Sequence, residues 1–221
     1  MSNQNFKTVI SEVITTKFPR VLLSPIRKYG RDGHNEILFA DCQLDSQSIV
    51  LDFGGYIGEF TNEIRSRFDS EVHVFEPVPQ FFESLKTRFE GDDKVHVHNY
   101  AVGSKSGELM LILQGDATRE VGTGDSIACE VLTPHKTIIK DIDEIALVAM
   151  NIEGGEYDLI PALSDAGILQ RTNHLLIQFH KTGREYREQK AKCNAILKKT
   201  HEMQWGYEYV WESWKISAEE N

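Results

Sequence analysis

The chain has 221 residues, 40% of them hydrophobic and 26% charged, which fits a single globular domain rather than a disordered or membrane class. Its formal net charge of −10 argues against an extended phosphate-binding surface, so no nucleic-acid partner is expected. No apolar run approaches the roughly 20 residues of a membrane span, so no membrane partner is expected either.

Met1–Lys7 is polar and lacks the apolar core of a signal peptide. Cys42, Cys129 and Cys193 are scattered and form no CxxC pair, which predicts reduced thiols in a cytoplasmic protein. Asn3–Lys17 has near-helical spacing and reads as a lead-in helix, and the turn-rich stretch Tyr29–Asn35 reads as a loop. Residues 1–47 form this lead-in, 48–180 a core, and 181–221 a C-terminal helix with an aromatic tail, all within one domain. Basic residues gather at Arg20–Arg31 and Lys181–Lys199. These runs read as solvated faces, although either could hold an anionic group of a small substrate.

The core opens with the β-branched run Ile49-Val50-Leu51, which enters the glycine cluster Gly54-Gly55-Tyr56-Ile57-Gly58. Phe60, Ile64 and Phe68 recur every four residues and predict a helix. Val72–Phe75 is a second strand, stopped by Pro77, and Phe81–Phe89 the next helix. Val95–Tyr100 alternates as a third strand. This order predicts an α/β, mostly parallel, doubly wound sheet. Glu108–Leu113, Cys129–Leu132 and a short strand at Ile138-Ile139, around the glycine-rich stretch Gly115–Asp125, read as a β-rich insertion before the fourth core strand. That strand is Ala146–Ile152, followed by a helix over Tyr157–Ala166. His174–Phe179 is a further strand and Gly183–Thr200 a basic helix. Trp205, Trp211 and Trp214 fit a packed C-terminal strand.

Ligands of open parallel sheets sit outside the carboxyl ends of the strands. Three strand ends carry suitable residues: Asp52 with its glycine loop, Glu76, and Asn99-Tyr100-Ala101. A carboxylate at 76 can accept both ribose hydroxyls of a nucleoside, and the third segment can read a base edge. A dinucleotide fingerprint needs a glycine where this chain has Tyr56, so a nicotinamide oxidoreductase is the weaker alternative.

Val50–Thr61, Val74–Pro77, Ala101-Val102-Gly103 with Gly107, Asn151–Tyr157 and Ile177–His180 together, in this order, resemble the motifs of the FkbM family of methyltransferases. The resemblance implies a Rossmann-like class I methyltransferase fold and S-adenosylmethionine as cofactor. It also implies methyl transfer to a hydroxyl of a sugar, glycan or natural-product-like acceptor, a small hydroxylated molecule. It sets Asp52, Gly54 and Gly58 along the methionine and ribose, with Gly55 and Pro77 in the same cleft. Glu76 would hold the ribose, and Tyr100 and Ala101 would flank the adenine. Two family carboxylates are amides here, Asn151 and Gln178, and the family lysine is absent.

A hydroxyl acceptor calls for a proton acceptor. His180, Glu153 and Glu156 are the candidates, with Asn151 orienting the acceptor. His180 has the favourable unperturbed pKa for base work near neutrality. His180 capping its strand and the two glutamates pinning a turn are equally open readings. The amides also leave open a catalytically quiet member that binds cofactor or a partner. No metal is expected: one held by Glu153, Glu156 and His180 stays open but has no diagnostic spacing behind it, and His73, His96 and His98 lie within strands, where packing or exposure accounts for them. Asp125-Ser126 is a candidate lid, and a homo-oligomer is compatible with the sequence.

Overall fold

The structure, a computed structural model, describes residues 24–114, 117–119 and 126–218. The expected helix Asn3–Lys17 and the candidate lid residue Asp125 lie outside them.

The chain starts with α1 (Pro25–Arg31) and α2 (His34–Leu38), where the sequence predicts a loop over Tyr29–Asn35. Tertiary burial explains the difference. Pro25 suits the first turn of a helix, and buried Tyr29 meets the Tyr207 ring edge-on at 5.2 Å. Tyr207 also donates to Asp32 at 2.9 Å. The turn chemistry is confined to Asp32 and to Gly33, whose φ is 86°.

Then come β1 (Ile49–Phe53), α3 (Glu59–Phe68), β2 (Glu71–Phe75), α4 (Pro79–Arg88) and β3 (Val95–His98). A smaller sheet follows, made of β4 (Ala101–Val102), β5 (Gly107–Gln114), β6 (Ala117–Arg119) and β7 (Ser126–Leu132), in the order β4-β7-β5-β6. This is the expected β-rich insertion. Ile138-Ile139 is not a strand but part of a 3-10 turn, Ile138–Asp141. Thr137 accepts the Ile139 N–H there and starts the turn, while Ile139 is fully buried and Ile138 faces out. The chain resumes with β8 (Leu147–Met150), α5 (Glu156–Asp165), β9 (His174–Ile177) and α6 (Tyr186–Leu197). It ends in the hairpin β10 (His201–Tyr207) and β11 (Trp211–Ile216).

The main sheet has the order β10-β11-β9-β8-β1-β2-β3. β1, β2, β3, β8 and β9 are parallel, and β11 runs antiparallel to both neighbours. Central parallel strands are covered on both faces and so read as unbroken apolar runs; Val50, Leu51, Leu147, Val148, Leu175 and Leu176 are all 0% exposed. One core layer joins Phe53, Phe75 and Met150 to Leu159 and Leu163 of α5. The other joins Val50, Val72 and Val74 to Ile64 of α3 and Leu85 of α4.

Register sets the functional edge. Phe53 pairs with both Phe75 and Met150, and Met150 with Ile177. Four strands therefore end level, and their next residues, Gly54, Glu76, Asn151 and Gln178, share one rim of the sheet.

Candidate active site

Three strand-end loops meet along this rim. At Gly54 a Cβ would lie 2.3 Å from the Asn151 carbonyl oxygen, so the loops after β1 and β8 touch only because that residue has no side chain. At Gly154 a Cβ would lie 2.6 Å from the Thr182 hydroxyl, which joins the loops after β8 and β9 in the same way. Both glycines have positive φ, 91° and 111°.

A cleft of about 420 Å³ opens above Gly54. Its walls are mostly apolar, with Phe53, Phe75, Val102 and Leu159 below and the paired Tyr56 and Phe81 rings to one side. The buried carboxylate of Glu76 stands in this wall. One of its oxygens accepts the Tyr56 N–H and the other the Val78 N–H, both at 2.9 Å. Burial raises the Glu76 pKa, and these two hydrogen bonds oppose the rise. Each oxygen keeps a lone pair for a further donor.

Gly54, Glu76, Pro77 and Ala101 line the cleft, as does Asn151. Asp52 turns away from it: its buried carboxylate accepts the Thr61 hydroxyl at 2.7 Å and ties β1 to α3. Burial pushes Asp52 up to about 6, the Thr61 hydrogen bond opposes this, and the Glu76 charge adds to it. Gly55 faces Val74 and Leu85, while Gly58 precedes α3 and abuts Phe89. Tyr100 is directed onto the Phe75 and His98 rings. Gln178 lies in the wall of neither cavity described here.

A wider groove of about 1340 Å³ adjoins the cleft. The two share Leu109, Leu111, Ile152, Glu153, Gly154, Gly155 and Asp158. The groove is also lined by Pro25, Ile26, Lys181, Arg184 and Tyr209, none of which carries a sequence signal for the site beyond its place in a basic run. Lys181 stands 4.6 Å from the centre of the Tyr209 ring, over which Lys190 also sits.

Glu153, Glu156 and His180 come together at the junction, each differently placed. Glu156 is fully buried; it accepts Gly154 N–H at 2.8 Å and His180 N–H at 2.6 Å, and its Oε1 lies 3.3 Å from His180 Nδ1. These bonds pin the β8–α5 turn. Glu153 lines both cavities, with its Oε1 3.4 Å from His180 Nε2. Burial alone would depress the His180 imidazole, but hydrogen bonds and charges from Glu153 and Glu156 outweigh it and push it up to about 9. At neutral pH His180 is therefore a cation, whereas its unperturbed pKa would leave it poised for base work. Glu153 and Tyr56 also hold positive φ, 52° and 48°, a conformation non-glycine residues adopt at a cost of about 1–3 kcal/mol.

No family model and no curated protein matches the chain. Solved structures do match. A protein from Clostridium thermocellum assigned as an rRNA methylase shares 14% identity and a TM-score of 0.55, over 85% of this chain and 96% of its own. Fibrillarin in its complex with Nop5p shares 12% identity and a TM-score of 0.52, over 87% and 80%. A Methanococcus jannaschii fibrillarin, a pre-rRNA processing protein, shares 7% identity and a TM-score of 0.50, over 79% and 69%. The chain thus shares the Rossmann-like fold of these proteins. These matches overturn the exclusion of nucleic acid drawn from net charge: proteins named for work on rRNA use this scaffold. Net charge averages over the whole surface and does not report the local charge at a groove, and Lys181 and Arg184 line the groove here. Among the described residues no helix is long and apolar enough to cross a membrane.

Proposed function

We propose that this chain is an S-adenosylmethionine-dependent methyltransferase of the FkbM kind, acting on a hydroxyl of a sugar-like acceptor. The observation that carries this reading is the union of a nucleoside-sized cleft with a second groove across one shared wall, Ile152–Gly155. Transfer between two substrates needs such a junction, because catalysis by positioning requires both to be held at once.

The cleft fits the cofactor in chemistry as well as size. Apolar walls and the Tyr56–Phe81 ring pair suit a planar base, and the buried carboxylate in the cleft wall, Glu76, suits a ribose diol. S-adenosylmethionine supplies a methyl group on a positively charged sulfur. The protein's own part is to orient the acceptor hydroxyl with Asn151 and to receive its proton at Glu153, which stands at the junction beside the His180 imidazolium.

Titration of the purified chain with S-adenosylmethionine, S-adenosylhomocysteine and NAD tests the assignment. Binding of the first two alone is expected. NAD binding would revive the oxidoreductase alternative. Failure of all three would remove the basis of the reading, and tight binding without transfer to any acceptor would establish a quiet member. RNA carrying free 2′-hydroxyls belongs in the acceptor screen beside carbohydrates, and its methylation would replace the sugar-like assignment.

Glu76→Ala is expected to weaken cofactor binding by about 1.5–3 kcal/mol, the usual worth of hydrogen bonds to a charged group. Glu76→Gln, which keeps the side-chain shape, separates that loss from disturbance of the Tyr56 and Val78 turn. Unchanged affinity in both variants would contradict the ribose role.

A further inference from the structure

Among the described residues, one group of His, Cys, Asp or Glu side chains brings three donor atoms within 4.8 Å of one another: Glu71, His73 and His96. It arises from strand periodicity. Glu71 and His73 sit two apart on β2 and share a face. His73 pairs in register with His96 on β3, which puts His96 and His98 beside them on that face. Glu71 is the first residue of β2, so the cluster lies toward the amino ends of the strands, away from the rim that carries the cleft.

We propose that Glu71, His73 and His96 form a binding site for a divalent transition metal that staples edge strand β3 to β2. Glu71 Oε1 lies 3.3 Å from His73 Nε2 and 3.1 Å from His96 Nε2. Ligands bonded at about 2.0–2.1 Å to one tetrahedral ion stand roughly 3.3–3.4 Å apart, so the Glu71–His73 spacing already matches one edge of such a site and the Glu71–His96 spacing falls slightly short of a second. Two imidazoles and a carboxylate select zinc, cobalt or nickel over calcium or magnesium.

The surroundings suit the role. The side chains of Glu71 and His96 are 39% and 40% exposed while that of His73 is 9%, so the site is anchored inside and open to solvent at its outer face. That leaves an approach for the ion and room for a water as fourth ligand. Behind His73, its Nδ1 lies 3.1 Å from His98 Nε2. A bond from His73 Nδ1–H to His98 leaves His73 Nε2 free to bind a metal, the arrangement that commonly orients a ligating histidine. The His98 ring is in turn stacked on Phe75 at 4.8 Å. Nearby Asp69 and Asp92 are occupied by Lys94 and Arg65 and do not compete for the ion.

The same distances would serve a ladder in which Glu71 accepts N–H bonds from both imidazoles, and metal titration separates the two. The full chain, free of any affinity tag and treated with chelator, is titrated with Co²⁺ and followed by its visible ligand-field absorption. One equivalent per chain, displaced by Zn²⁺, is expected. His96→Ala, at a half-buried position, should abolish the band and the rise in melting temperature that Zn²⁺ gives the wild type. His98→Ala should weaken binding by about 10–100-fold without abolishing it. No cobalt band in the wild type, or equal affinity in His96→Ala, would overturn the proposal. The measurement needs no cofactor, so its outcome is independent of the methyltransferase reading.

Discussion

Glu156→Ala is expected to destabilise the protein by about 3–5 kcal/mol, the range for removing one partner of a buried charged pair. The carboxylate is fully buried and meets two backbone N–H groups and the His180 ring. Its loss strands both donors and leaves the His180 imidazolium with less compensation. For a chain of this size the melting midpoint should fall by roughly 6–20 °C. The pH dependence should change too. Because His180 is raised to about 9, it stabilises the wild type fully below its unfolded pKa, and that stability is lost as pH rises through about 9. In the variant this alkaline loss should shrink. Thermal or denaturant melts across pH 6–10 make the comparison. A variant within about 1 kcal/mol of wild type would show that Glu156 is not structural and would return it to the list of proton acceptors.

Glu153→Gln is expected to lower methyl transfer by about 10²–10⁴-fold while leaving cofactor affinity and melting temperature close to wild type. Glutamine keeps the shape at the junction of cleft and groove but cannot take a proton. The strained φ of 52° at this residue is consistent with a placement kept for chemistry rather than stability. The pH profile separates the two roles open to His180. If its cation orients Glu153, turnover falls as pH rises through about 9; if the neutral ring is the base, turnover rises over the same range. Single-turnover rates with the best acceptor from the screen give both readouts. Full activity in Glu153→Gln would leave positioning alone as the source of catalysis.

The two glutamates show where sequence reading stops. Glu153 and Glu156 stand three apart at one strand end, and nothing in their spacing ranks one above the other. Folding buries Glu156 completely and leaves Glu153 lining both cavities, because the turn Glu153–Gly155 rotates before α5 begins. Asp52 is a second case. Its place at a strand end before a glycine loop suggests a cofactor ligand, but strand alternation and the packing of α3 direct it to Thr61.

The order of apolar runs and breakers determined the fold class, since buried parallel strands must be continuously apolar and local pattern records that directly. The positions of Gly54, Glu76 and Ala101 were legible for the same reason, because each directly follows, or in the case of Ala101 closely follows, a run that ends at the rim. Only the tertiary structure decided the helical start at Pro25–Arg31, where packing of Tyr29 on Tyr207 overrides the local turn signal. The groove wall of Ile26, Lys181 and Tyr209 and the raised pKa of His180 also needed it. Each depends on residues distant in the chain brought within a few ångströms, and the electrostatic and packing energies that act at that range leave no periodicity in the sequence.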